Sequence, residues 1–342
     1  MNAPVAIHQG QSGLVDWSEL ALRCPTCTCR LEVFGTITEP AFELIQAKAI
    51  CGICNSIMLR IDGIWRAIRP GRANLIAVSL SNYEAVRKAE GRWSENAAFY
   101  LSLPFKDTTG KFVEQWQIRA SSFRYITGKL LPLCMKRLGR QHLRILDIGT
   151  GNCWMSYRLA LAGHLPVAVD LSLSNLDGLG SAKHYRTVLE SVFPRFQAEM
   201  DWLPFMDGQF DMAIFNASFH YAQDYEVTIR EALRILRPGG TILIADSPTY
   251  SKESDGEAMK REKSDKFLHE YGTDAGKMHG QEYLTPERLA QMQKTGIQWS
   301  RRSPWRGWRW TLRPFLARIA GRRKPSRFFI YLGTKTPQRL EV

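Results

Sequence analysis

Residues 145–170 read ILDIGTGNCWMSYRLALAGHLPVAVD, and this stretch decides the fold. Ile145–Ile148 is an apolar run that ends in the turn Gly149-Thr150-Gly151. A helical pattern follows, with Trp154, Tyr157, Leu159 and Leu161 among its apolar positions, and Gly163 closes it. A second apolar run, Val167–Val169, ends in Asp170. The order is strand, tight turn, helix, strand, acid. Glycines in such a turn let backbone N–H groups approach a ligand at a helix start. An acid about twenty residues further on falls where doubly wound folds bind ribose hydroxyls.

Asp147 opens the turn, the glycine spacing is short, and Cys153 stands where a dinucleotide fingerprint has its third glycine. That departure counts against a nicotinamide- or flavin-binding domain. The pattern resembles the first motif, D/E-x-G-x-G, of class I S-adenosylmethionine (SAM)-dependent methyltransferases. The resemblance implies an α/β fold with a Rossmann-like sheet, parallel apart from one antiparallel edge hairpin. It also implies SAM as cofactor. Gly149 and Gly151 would approach the cofactor and Asp147 would support its amino-acid end. Asp170, followed by Leu171, would bind the ribose.

Downstream, Phe196–Asp211 reads FQAEMDWLPFMDGQFD. It is similar to the D-A-x-x-LPF-x-D-x-x-FD pattern of methyltransferases of the ubiquinone/menaquinone-biosynthesis type. Counting back from Leu203-Pro204-Phe205 puts Glu199 on the adenine amino group, with Met200 as the adenine wall. Glu replaces the family's Asp, and Asp201 remains a rival. Phe210–Phe215 reads as a fourth strand, with Asn216 and His220 just past it. Ligands in open α/β sheets bind outside the carboxyl ends of the strands. Asn216 is therefore expected near the methionine moiety, and His220 as a general base or as a loop hydrogen-bonding group. Glu226–Leu236 reads as an amphipathic helix broken by Arg237-Pro-Gly-Gly240, and Thr241–Ala245 as strand five. A long helical stretch from about residue 112 to 138, with a break at Pro132, is expected over the cofactor pocket, where Arg119 and Tyr125 can reach the methionine end. The resemblance covers roughly residues 112–300. Asp177, Gly178, Gly180 and His184 are candidates for the pocket mouth.

Nearer the N-terminus, Cys24-Pro-Thr-Cys27 and Cys51-Gly-Ile-Cys54 form two C-x2-C pairs separated by 23 residues. That spacing predicts a four-cysteine, structural Zn²⁺ site on a small ribbon of β-hairpins. Arg30–Thr36, Leu44–Ile50, Ser56–Ile61 and Gly63–Arg66 supply the strands. Cys29 is a rival of Cys27 as ligand, and disulfides are the alternative to metal. Residues 67–80 read as a linker, and Ser81-Asn-Tyr-Glu84 as the capped start of a helix that Gly91 ends. The expected organisation is a ribbon over 18–68, a linker and helical preamble over 69–140, and the methyltransferase domain over 141–335.

Hydrophobic content of 44% is ordinary for a globular protein, and no apolar run approaches the ~18 residues of a membrane span. The first twenty residues lack the pattern of a signal peptide, so the expected location is cytoplasmic, with reduced thiols. The net charge is +13, but ten Lys/Arg and no Asp/Glu lie between Arg301 and Arg327; the remainder carries only +3. This basic segment, with Trp299, Trp305, Trp308 and Trp310, fits an anionic membrane surface, a nucleic-acid backbone, an acidic substrate or a solvated arginine face. Pro314 counts against one long membrane-lying helix. Residues 250–283 read as a cap, with Tyr250, His269, Tyr271, His279 and Tyr283 as substrate contacts. Phe328–Leu332 reads as the last strand.

Three functions fit. One is methyl transfer to a small-molecule or lipid-linked acceptor. Another is methylation of ribosomal RNA, because a four-cysteine ribbon before such a core is also similar to bacterial guanine-N1 methyltransferases. The segment Asn216–Tyr221 lacks the proline-rich tetrapeptide common in base-amino methylation, which counts against it. The third is a non-catalytic SAM-binding partner protein. As a whole the chain resembles a bacterial group that joins a zinc ribbon to a methyltransferase core.

Overall fold

The computed structural model describes residues 17, 19–40, 47–272 and 280–335. The first part of Leu44–Ile50 and His279 lie outside them. The ribbon comprises β1 (Glu32–Phe34), β2 (Glu39–Pro40), β3 (Ala47–Ile50), β4 (Ile57–Ile61) and β5 (Ile64–Arg66). Helices α1 (Ala73–Glu90), α2 (Ala97–Ser102), α3 (Val113–Tyr125) and α4 (Leu131–Leu138) follow. Then come β6 (Arg144–Ile148), α5 (Trp154–Leu161), β7 (Leu165–Asp170), β8 (Ser191–Val192), β9 (Arg195–Gln197) and β10 (Phe210–Asn216). The chain continues through α6 (Tyr225–Ile235), β11 (Leu236–Thr249), α7 (Glu253–Tyr271), α8 (Pro286–Met292), β12 (Gln298–Arg302), α9 (Trp308–Ile319) and β13 (Arg327–Thr334).

The main sheet runs β1-β3-β4-β5-β9-β7-β6-β10-β11-β13-β12. From β9 to β11 the strands are parallel, and β13 lies antiparallel between β11 and β12. This is the expected Rossmann-like sheet with its antiparallel edge hairpin. Every residue of β6 and β10 is buried, as both faces of a parallel strand require.

The ribbon joins this sheet edge to edge. Ile64, Trp65 and Arg66 of β5 pair in parallel with Arg195, Phe196 and Gln197 of β9. Trp65 is fully buried, its ring stacked at 6.2 Å on Phe196. On the other side, Arg23 N–H donates to the Pro204 carbonyl and Met206 N–H to the Ala21 carbonyl. The ribbon thus closes the edge of β9 that would otherwise be open to pairing with another chain.

Three local expectations change. Residues 67–80 are not a linker throughout: α1 begins at Ala73, and Ser81 lies inside it with its hydroxyl turned back to the Val78 carbonyl. Gly91 does end that helix, in the left-handed conformation that suits glycine. The turn at Arg237–Gly240 does not separate helix from strand. It is absorbed as an irregularity of β11, whose pairing with β10 jumps from Phe210–Leu236 to Met212–Thr241. Finally, Pro132 produces a π-helical turn, Ile126–Leu130, between α3 and α4, because its missing N–H removes a helical hydrogen bond. No helix among the described residues is long and apolar enough to cross a membrane.

Candidate active site and metal centre

The turn after β6 is built by two constraints. Gly149 N–H and Thr150 N–H both donate to the Val169 carbonyl, at 2.8 and 3.1 Å. Gly149 has φ +70°, and a Cβ there would collide with Ser218. Behind the turn lies Asp147, buried, accepting hydrogen bonds from the hydroxyls of Thr150 (2.6 Å) and Ser156 (2.7 Å). Burial pushes its carboxyl up to about 6. Asp147 therefore braces the turn from behind and does not line the cavity in front of it.

That cavity has a volume of about 810 Å³ and opens at the carboxyl ends of the strands. Gly149, Gly151, Asp170, Leu171, Glu199, Met200, Asn216, His220 and Arg119 all line it. Of the pocket-mouth candidates, only Asp177 does. Gly178 and Gly180 pack against the loop 172–175, and His184 stacks on Tyr100 at 4.2 Å. Tyr125 packs among core residues instead. Tyr250 faces a second groove, Tyr283 is buried with its hydroxyl donating to Glu253 and Glu257, and His269 is exposed on α7. The side chain of Tyr271 is outside the described set.

The wall carries both occupied and free acceptors. Asp170 takes Gly151 N–H at 2.8 Å and Ser172 N–H at 2.9 Å, and burial raises its carboxyl. Glu199 is clamped by two arginines: Arg69 at 3.0 Å and Arg72 at 2.5 and 3.0 Å. By contrast, Asn216 Oδ1 and Asp246 Oδ2 are buried at the cavity without a hydrogen-bond donor, and Asp201 Oδ1 has only the Arg69 guanidinium, at 3.8 Å. Buried acceptors left without a hydrogen bond cost about 1–3 kcal/mol each, so such a cluster at one cavity points to donors on a ligand. Donors on a purine, a sugar or an amino acid would satisfy them, and a Cβ on Gly151 would meet no atom within 4 Å. These residues fit the cofactor inferred from the sequence.

His220 sits in a 3₁₀ turn (Phe219–Tyr221), with Nδ1 3.4 Å from the Ser247 hydroxyl. Burial, then the charges of Lys263, Arg119 and Arg87, push its pKa down to about 3. It is neutral at physiological pH. Arg119 lies 4.5 Å from the Trp116 ring centre and makes no ion pair among the described residues. Burial, with Arg87 and Arg92 nearby, lowers its pKa to about 10.

Residues outside the methyltransferase-like motifs complete the wall. Leu75, Ile76, Tyr83 and Arg87 of α1 roof it, and Asp246, Trp310 and Arg313 close the far side. Asp246 stands at the carboxyl end of β11, with its other oxygen accepting from Ser122 (2.6 Å) and Arg306 (3.4 Å). An acid at a strand end was its sequence signal.

In the ribbon, the Sγ atoms of Cys24, Cys27, Cys51 and Cys54 lie within 4.8 Å of one another. The Cys24–Cys54 and Cys27–Cys51 separations are 3.5 and 3.4 Å, near the ~3.8 Å edge of a tetrahedral Zn–S4 centre. The two knuckles repeat: Thr28 N–H donates to the Cys24 carbonyl and Asn55 N–H to the Cys51 carbonyl, with φ +66° and +59°. The donor set fits zinc, and Cys29 lies outside it.

Residues 146–244 match a family model described as a methyltransferase domain. A malonyl-[acyl-carrier protein] O-methyltransferase of Erwinia pyrifoliae is 31% identical over 105 residues, which is 30% of this chain and 37% of that protein. A demethylmenaquinone methyltransferase of Mycolicibacterium vanbaalenii is 28% identical over 36% of this chain and 55% of its own length. The match thus spans roughly a third to a little over half of these relatives. A solved SAM-dependent methyltransferase from Thermotoga maritima aligns with 70% of this chain and 98% of its own, at 16% identity and a TM-score of 0.42. The chain therefore carries, over residues 146–244, a methyltransferase domain.

Proposed function

We propose that the protein transfers a methyl group from SAM to a small-molecule or lipid-linked acceptor by in-line displacement. The observation that carries this is the set of acceptors without a hydrogen bond around one cavity at the glycine turn. SAM supplies an electrophilic methyl group on a sulfonium. Asp170 would hold the ribose hydroxyls, Met200 would pack on the adenine, and Asn216 and Arg119 would hold the amino-acid end. Asp147 acts through the turn that it braces. Glu199 is already engaged by Arg69 and Arg72, whereas Asp201 Oδ1 accepts no hydrogen bond and has Arg69 only at 3.8 Å, so Asp201 is the stronger acceptor for the adenine amino group.

His220 is our candidate for the acceptor's proton. Held neutral, it can accept a hydrogen bond, but its affinity for a proton is low. An acceptor that gives up its proton readily suits that environment. The ribbon over 18–68 we read as structural, stabilised by Zn²⁺ and backing the β9 edge. Residues 69–140 serve as the roof, and 141–335 hold the chemistry.

Incubation with methyl-labelled SAM and fractionated lysate tests the reading. Label entering small metabolites or lipid supports it; label entering RNA alone, or no fraction, refutes it.

A further inference from the structure

The basic segment near the C-terminus folds into a helix with two different faces. In α9, Trp308, Leu312, Phe315, Leu316 and Ile319 follow the spacing i, i+4, i+7, i+8, i+11. That spacing gathers them into one stripe about 100° wide. All five are between 50% and 75% exposed, and none packs on the protein core. Trp305, 63% exposed, extends the stripe through an edge contact with Trp308 at 5.2 Å. The opposite face turns inward: Trp310 and Arg313 line the cavity, with Arg313 4.0 Å from the Trp310 ring and Trp310 against Phe328.

Pro314 lies on that inward side, half-buried, so it does not interrupt the stripe. The sequence-based objection to a surface-lying helix therefore fails. Exposed Arg309 and Arg318 border the apolar residues, and five further exposed cations lie between Arg301 and Arg327 with no acid among them.

We propose that α9 docks on an anionic lipid surface, its apolar stripe inserted at the headgroup boundary and its arginines on the phosphates. Charge complementarity selects this occupant, because exposed arginines bordering a greasy stripe match an anionic bilayer on both counts. Nucleic acid fits less well, since Leu312, Leu316 and Ile319 offer nothing to a phosphate or a base. The same helix walls the cavity with Trp310 and Arg313, so docking sets the cavity beside the bilayer. On the methyltransferase reading, the acceptor is then an amphiphile drawn from that surface; the docking itself does not depend on that reading.

Flotation of the full chain with phosphatidylcholine vesicles, with and without about a third phosphatidylglycerol, tests the proposal. The chain should float with the anionic vesicles, at least about tenfold more strongly than with the neutral ones, and added salt should weaken it. Phe315→Glu/Leu316→Glu should lower the partition at least about tenfold. Both positions are exposed, so the thermal unfolding midpoint should not move; Trp308→Ser gives a second, milder variant. No binding to anionic vesicles, or equal binding by the double variant, overturns the proposal. So does retention of the chain on single-stranded RNA that the double variant loses. SAM affinity measured on the same samples should be equal in all variants. Its absence from the parent chain would refute the methyltransferase reading and leave the vesicle result standing.

Discussion

Arg87 of α1 donates from Nε to Asp177 of the loop after β7, at 2.7 Å. Both line the cavity, and 90 residues separate them in the chain. With Glu84, which accepts from the Ser172 hydroxyl, this pair latches the roof to the loop beside Asp170. Arg87→Ala should loosen α1 and weaken SAM binding by about tenfold, because a partly buried charge-assisted hydrogen bond is worth about 1.5–3 kcal/mol. Asp177→Ala should cost a similar amount, and the double variant little more than either alone. Additive losses would show that the two residues act separately.

Zinc should be stoichiometric and should depend on four cysteines. Cys51→Ser should lose the metal, measured by atomic emission on the purified chain, whereas Cys29→Ser should keep it. Because β5 pairs with β9, loss of the metal should also lower the unfolding midpoint of the whole chain. Metal retained in Cys51→Ser would contradict the assignment.

His220 should respond to pH only under acid conditions. Its folded pKa, about 3, lies below the ordinary 6.5. Its contribution to stability is fully present above pH 6.5 and is lost as pH falls toward 3. Asp147 has the opposite sign: raised to about 6, it favours the fold below its ordinary value and loses that contribution as pH rises through 6. Comparing His220→Asn with the parent isolates the first effect. The parent's stability relative to the variant should fall between pH 6.5 and 4. The rate profile of the parent should carry no inflection near 6.5 from this residue, and His220→Asn should cost on the order of 10²-fold in kcat. An inflection near 6.5 that vanishes in the variant would show that His220 is an ordinary titrating base.

The sequence was informative where function is carried by a local pattern. Gly149, Gly151 and Asp170 sit within one strand-turn-helix-strand unit, and all three reach the cavity. The cysteine spacing likewise encodes its own geometry. Helix α1 was harder to read. Its apolar Leu75, Ile76 and Leu80 face a cavity rather than a packed core, and Pro70-Gly71 just before it suggests a linker. The clamp of Arg69 and Arg72 on Glu199 joins residues about 130 positions apart, and no local signal reports such a pairing. The joining of β5 to β9 is a long-range sheet contact of the same kind, so the ribbon read as a separate bead.

The most direct test of the central claim is calorimetric titration of SAM into the chain and into Asp170→Ala. The account predicts a single site in the parent and at least about 100-fold weaker binding in the variant, with the fold intact by circular dichroism. Unchanged affinity in Asp170→Ala, or no binding to the parent, would contradict it.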